Sequence, residues 1–214
     1  SPIKTTRADK NSKFQNLLVD FKVTDVNQLW VSDITYYELG DKHYYIVLIM
    51  DVYSRRIVGH SVADNMRAEN NISALKMALT LRGISNYQGT LIHHSDRGSQ
   101  YTSNDYTALL GSRGIKISMC TNVLENAHSE RANGTIKNDY LRRWGITIQE
   151  ELYKSTPRAI DNYNNRNHKS LPKMTPIQFE TYVKELDWEN RPIIPIFTMT
   201  QTVLNNNQLC LFND

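Results

Sequence analysis

The sequence is poor in cysteine: Cys120 and Cys210 are the only two in 214 residues. That excludes a disulfide scaffold and a four-cysteine zinc site. No apolar run approaches the ~20 residues of a membrane-spanning helix, so no membrane partner is expected. No signal peptide is visible, and a reducing cytoplasm is the expected compartment. Net charge is also scarce, since 25 Lys and Arg against 22 Asp and Glu leave only +3. There is no internal repeat and no His/Cys zinc module. Position 1 is Ser rather than Met, as in a portion of a longer chain. The hydrophobic fraction of 40% is enough for one domain with a sizeable core and excludes a wholly disordered chain.

The small net charge conceals an uneven distribution. Residues 1–13 carry Lys4, Arg7, Lys10 and Lys13 against Asp9. Residues 127–170 carry eight basic and five acidic side chains, whereas 185–214 set Arg191 against Glu185, Asp187, Glu189 and Asp214. Basic segments suit a phosphate backbone, although ordinary solvated surface has the same appearance.

Hydrophobic patterning divides the chain into an arm or linker (1–27), a core (28–184) and an extended tail (185–214). Leu29 to Tyr37, Tyr44 to Tyr53 and Ile57 to Val62 are rich in β-branched and aromatic residues and predict three strands in a meander. The second is nearly all apolar and is expected to be buried on both faces. Ile72, Leu75 and Leu79, with Ala74, Ala78 and Leu81, recur at helical spacing over Ala68 to Arg82, and Gly83 is placed to end that helix. Thr90 to Ser95 predicts a fourth strand, Ser103 the cap of a helix running to Ser112, and Ile115 to Met119 a fifth strand. From Ala127 the pattern is mostly helical to Asn167, with Pro157 expected to break or start a helix. Thr175-Pro176 opens another. The order β-β-β-α-β-α-β-α predicts an α/β fold: a mixed five-stranded sheet, antiparallel then parallel, flanked by helices.

Three carboxylates stand out. Asp33 interrupts an apolar strand, where a charge is costly unless paired or bound to metal. Asp96 ends the fourth strand, and Glu130 lies early in a helix. If the first and fourth strands are neighbours, Asp33 and Asp96 face each other, with Glu130 approaching from above. Three carboxylates from separate elements are what hard Mg²⁺ ions require. A strand-end Asp, a turn Asp and a first-turn helix Glu are also common structural residues.

The flanking residues decide the matter. Trp30-Val31-Ser32-Asp33-Ile34-Thr35-Tyr36, then Asp51-Val52-Tyr53-Ser54-Arg55-Arg56-Ile57-Val58-Gly59, resemble the opening strands of the integrase-core transposases, bacterial relatives of retroviral integrase. His94-Ser95-Asp96-Arg97-Gly98-Ser99-Gln100-Tyr101 resembles their second catalytic motif. Asn126-Ala127-His128-Ser129-Glu130-Arg131, with Gly134-Thr135-Ile136-Lys137, resembles the third. Tyr163-Asn164-Asn165-Arg166-Asn167-His168, Leu171 and Thr175-Pro176 match their C-terminal signature. The resemblance covers about residues 14–182 and is closest to the insertion-sequence-three family. It implies a ribonuclease-H-like fold and a catalytic, metal-binding triad of Asp33, Asp96 and Glu130, with Mg²⁺ or Mn²⁺ as cofactor and two ions when DNA is bound. It also implies DNA as partner (element ends and target), oligomers on DNA, and a bacterial, nucleoid-associated location.

Asp96 and Glu130 are 34 positions apart, somewhat closer than is usual in the family. Glu125 is the rival third carboxylate, five residues and about 140° from Glu130 on a helix. Lys137 is about two α-helical turns from Glu130 and is the leading DNA contact. Arg131, Arg97, Gln100 and Arg166 are further DNA-binding candidates; Arg97 and Gln100 could instead stabilise their turn. His94 shares a strand face with Asp96 by period two and could orient it or simply pack. Asp51 is expected to be positioning or structural rather than a ligand. In the tail, Gln208, Leu209, Leu211 and Phe212 resemble the short peptide by which bacterial proteins bind the polymerase sliding clamp. The same side chains could equally pack on their own domain.

The implied activity is that of a transposase catalytic domain: metal-dependent phosphodiester hydrolysis at element ends, followed by 3′-hydroxyl strand transfer. A nuclease of the same fold and a catalytically inactive DNA-binding module are the alternatives.

Overall fold

The computed structural model describes residues 14–120 and 127–196. The strands are β1 (Lys22–Val23), β2 (Leu29–Leu39), β3 (Lys42–Asp51), β4 (Ile57–Ala63), β5 (Ile92–Ser95), β6 (Lys116–Met119) and β7 (Ile194–Pro195). The helices are α1 (Ala68–Arg82), α2 (Ser99–Thr102), α3 (Asn104–Ser112), α4 (Ala127–Gly134), α5 (Gln149–Asn164) and α6 (Pro176–Glu185). Five strands form the main sheet in the order β4-β3-β2-β5-β6. β2, β3 and β4 are antiparallel neighbours, whereas β5 and β6 run parallel to β2.

Strand periodicity explains why the sheet is covered on both sides. In β3, Ile46, Leu48 and Met50 join one apolar cluster, while the intervening Val47 and Ile49 join the other. The first cluster takes in Ala132 of α4, Ile160 of α5 and Phe179 of α6. The second takes in Leu75 and Ala78 of α1 and Leu110 of α3. α1 approaches β4 at Gly59, where a Cβ would lie 2.2 Å from the Ala74 carbonyl oxygen; only glycine admits a helix that close. Gly83 ends α1 in the left-handed conformation at φ 63° and bonds back to Leu79 and Thr80. Ser103 caps α3 through the Tyr106 amide, and Thr175 with Gln178 forms a complete capping box on α6.

Three features depart from the sequence pattern. Pro157 lies inside α5 rather than at an end. Its ring is on the exposed side, where water can serve the Tyr153 carbonyl that loses its amide. The buried stripe Leu152, Thr156, Ala159, Ile160 and Tyr163 outweighs the ~3 kcal/mol that an internal proline costs. α4 does not continue as α-helix: Thr135–Arg142 winds as a π-helix, with Ile136 and Leu141, five apart, both buried. Finally, β1 and β7 pair antiparallel, and Leu18, Val23 and Ile196 are core residues. The core therefore draws on residues outside the 28–184 span.

A buried ion network ties the outer end together. Glu180 of α6 accepts from Ser54 Oγ and Arg56 Nη1, each at 2.7 Å, and from both terminal nitrogens of Arg82. Arg82 also reaches Asp51, which is fully buried. Removing the shared guanidinium would leave buried Asp51 with backbone amides alone and Glu180 with only Ser54 and Arg56. Arg82→Met should cost about 3–5 kcal/mol in urea denaturation; a loss below about 1 kcal/mol would show that the network holds nothing.

A second prediction concerns acid. His93 is wholly buried and bonded through Nε2 to Tyr106 Oη at 2.9 Å; burial pushes its pKa down to about 3. The fold thus requires the neutral ring. This contribution is complete above the ordinary pKa near 6.5 and is lost as pH falls toward 3. His93→Gln should flatten the stability profile within that window, and an unchanged slope would assign acid sensitivity elsewhere.

Candidate active site

Asp33 lies in β2 on the face covered by α4. Its Oδ2 accepts from Asn133 Nδ2 and its Oδ1 from the Ile34 amide, both at 2.9 Å. Its pKa is nevertheless pushed up to about 7. Burial is the largest cause and the negative charge of Asp96 the next, with Glu130 adding a smaller push. The two hydrogen bonds pull the other way.

The neighbour relation with Asp96 follows from the sheet. β5 pairs with β2 in parallel register, Val31 beside His94. Continued by two residues, that register brings Asp33 level with Asp96. Asp96 sits where β5 gives way to the bend before α2, and its Oδ1 accepts from the Gly98 amide at 2.9 Å. Glu130 is exposed in the first turn of α4. Asn133, three residues on, shares its helical face and is the residue that meets Asp33. The three carboxylates thus share an electrostatic neighbourhood. Among the described residues, no three His, Cys, Asp or Glu side chains close into a group able to hold a metal ion.

The other candidates are distributed around this centre. Lys137 Nζ stands 4.8 Å over the Tyr36 ring, and burial lowers its pKa. The change to i→i+5 winding at Thr135 loosens the two-turn relation to Glu130 that α spacing implies. Arg131 is exposed and, with His128, Arg55 and His168, lines a small pocket beside α4. Arg166 pairs with Asp139 at 3.7 Å and lies over the rings of Tyr140 and Tyr163, which docks the end of α5 on the π-helical stretch. Arg97 is half-buried in the bend after Asp96.

Gln100 turns inward: it is 5% exposed and donates to the Met66 carbonyl at 3.1 Å. It ties α2 to the loop before α1 and is not presented to a ligand. His94 is fully buried, with Nδ1 2.8 Å from Ser118 Oγ and Nε2 3.0 Å from Cys120 Sγ. Asp51 accepts from the amides of Asn27 at 2.7 Å and Tyr53 at 3.0 Å and faces Arg82. Glu125 and the tail residues Gln208, Leu209, Leu211 and Phe212 lie outside the described residues.

Sequence reasoning passed over Asn133, although its i+3 spacing from Glu130 was a usable signal. It also assigned no role to Arg55 or His128. Because burial and like charges outweigh the two hydrogen bonds at Asp33, Asp33→Asn should melt a few degrees higher than the native chain in EDTA at pH 8. A lower melting temperature would mean that the Asn133 bond needs a carboxylate and outweighs the repulsion.

Comparison with known proteins bears on this geometry. Residues 23–122 match the model of the integrase core domain. The chain is 35% identical over 163 residues to the insertion element IS600 uncharacterized 31 kDa protein of Shigella sonnei, covering 74% of this chain and 59% of that one. It is 32% identical over 171 residues to transposase InsF for insertion sequence IS3A of Escherichia coli, covering 78% and 58%. The chain thus spans a little over half the length of these relatives. Among solved structures, the HTLV-2 integrase catalytic core domain in complex with magnesium superposes with a TM-score of 0.60 at 23% identity, over 73% of this chain and 97% of that one. A simian T-cell lymphotropic virus intasome in complex with a PP2A regulatory subunit superposes at 0.66 and 18%, over 89% and 66%. These likenesses establish the ribonuclease-H-like fold. The chain carries an integrase core domain and is a relative of the insertion-sequence transposases.

Proposed function

We propose that this chain is the catalytic portion of a DNA transposase: it hydrolyses a phosphodiester at the end of a mobile element and joins the freed 3′-hydroxyl to a second strand. The observation that carries the reading is that the parallel register of β2 and β5 leads to Asp33 and Asp96, with the charge of Asp96 raising the pKa of Asp33.

The donor set suits hard divalent cations. It consists of carboxylate oxygens only, with no thiolate or imidazole among the three residues. Their mutual repulsion is what a cation would relieve. Asp33 and Asp96 would hold Mg²⁺ or Mn²⁺, with Glu130 completing the set. Glu130 is favoured over Glu125 because Asn133, on the same helical face, is bonded to Asp33. Bound ions supply activation of the attacking oxygen and neutralisation of the charge on the leaving one.

The chain's own residues do the positioning. Asn133 and the Ile34 amide fix the Asp33 carboxylate, and the Gly98 amide fixes Asp96. Lys137, steered by Tyr36, offers a cation to a phosphate beside the carboxylates. In hydrolysis a water oxygen bonds to phosphorus and the P–O3′ bond breaks, releasing the 3′-hydroxyl. In joining, that hydroxyl loses its proton and bonds to a target phosphorus while the target's own P–O3′ bond breaks. One phosphodiester replaces another, so no nucleotide cofactor and no covalent enzyme intermediate is needed. The assembly is expected to act as an oligomer on DNA.

Element-end DNA incubated with Mn²⁺ should be nicked at the 3′ end and joined to target. Asp33→Asn and Asp96→Asn should each reduce both products to background. Cleavage without joining would favour the nuclease reading, and cleavage that survives either substitution would remove the assignment.

A further inference from the structure

α4 presents two stripes. Glu130 and Asn133, three apart, face Asp33. His128 and Arg131, also three apart, face away and line a pocket closed on its far side by Arg55, His168 and Ser170. The composition of that pocket is unusual for a buried site. Arg55 is only 7% exposed, yet the partner it finds is a histidine ring, with Nη1 2.7 Å from His128 Nδ1. A guanidinium can only donate, so Nδ1 accepts and the ring proton resides on Nε2. His168 is engaged in turn with the Tyr163 carbonyl at 3.1 Å. No carboxylate lines the pocket among the described residues.

Burying an arginine whose hydrogen-bonding partner is a neutral ring is costly; burial, the largest cause, pulls Arg55 down to about 10, and Arg131 pulls the same way, while Tyr163 and Asp51 pull against them. The backbone at Arg55 is itself constrained, with φ at 62°, a conformation unfavourable for a non-glycine residue. A site lined by two arginines and two histidines around a cavity of about 50 Å³ has room for a group the size of several waters, not for a base. A tetrahedral oxyanion matches both the size and the fork of donors that arginine presents.

We propose that the Arg55–His128–Arg131 pocket is a seat for one backbone phosphate of bound DNA, on the side of α4 opposite the one that faces Asp33. This rests on the reading that the chain works on DNA. It adds a register point: a phosphate held there fixes the strand relative to the same helix that carries Glu130.

The test is duplex binding by fluorescence anisotropy across a salt series, with the 214-residue chain in EDTA so that no chemistry intervenes. Arg55→Gln should lower the slope of log K against log salt by about one. Ser170→Glu, an exposed rim position where a carboxylate would compete for the cations, should do the same if Arg55→Gln fails to fold. Lys76→Gln, which removes one charge from exposed α1 on the opposite face of the sheet, should leave the slope unchanged. A parallel arm titrates inorganic phosphate against melting temperature at constant ionic strength. Phosphate protection lost in both variants, with DNA slopes unaltered, would make the pocket a free-anion site and overturn the proposal. Unaltered slopes without protection, slopes that fall equally for Lys76→Gln, or no duplex binding by the native chain would overturn it too. Native binding without cleavage would sink the catalytic reading alone and leave this test intact.

Discussion

The parallel pairing of β5 against β2 is the constraint from which the rest of the site follows. A parallel neighbour cannot be reached by a tight turn, so the chain must cross over through α1 and return beside β2. That crossover brings Asp96, more than sixty positions from Asp33, level with it at the strand ends. Ligands in open α/β sheets collect at such carboxyl ends, where strands stop and loops begin. Here two acids meet there, and the charge of Asp96 makes ionisation of Asp33 less favourable. No packing argument accounts for that arrangement, because an apolar pair would stabilise the same junction without the repulsion.

Asp51 makes the contrast visible. It lies opposite Trp30 in the β2–β3 register and is more deeply buried than Asp33, but its environment is organised to keep it. Three backbone amides and Arg82 face its oxygens. Burial still raises it to about 6, though Arg82, not a second acid, is its nearest strong influence. Glu180, gripped by two arginines and a serine, is pulled below its ordinary value. These acids are structural because cations and donors from three elements converge on them. Asp33 is different in kind, since the charges around it have its own sign.

Much of this was legible from the residues alone. The unbroken apolar run of Ile46 to Met50 announced a strand buried on both faces, and α1 begins and ends where its period and Gly83 place it. The fold order followed from those elements, and the Asp33–Asp96 relation from the order. What escaped were features set by tertiary context. Pro157 is tolerated inside α5 because its ring faces solvent while the opposite stripe is buried. The π winding after Gly134 answers to Ile136 and Leu141 seeking the same core, which no local propensity encodes. The pairing of β1 with β7 joins residues about 170 positions apart, beyond the range of any local signal. Between the two roles open to Gln100, DNA contact and support of its turn, no local signal chose; in the fold its amide donates to the Met66 carbonyl.

The role of α4 follows from its length and its two faces. At eight residues it is too short to be stable by itself, so it is held by what it touches: Ala132 in the core, Asn133 on Asp33, His128 on Arg55. The last two contacts bear on opposite sides of one helix, one toward a carboxylate and one toward a guanidinium. Any ligand that altered the charge on either side would act on the position of the helix, and therefore on Glu130, which α4 carries without burying. A cation relieving Asp33 and an anion relieving Arg55 would both strengthen the seat of the same short element. On the proposed reading, occupancy of the two sites would be linked through the helix they share.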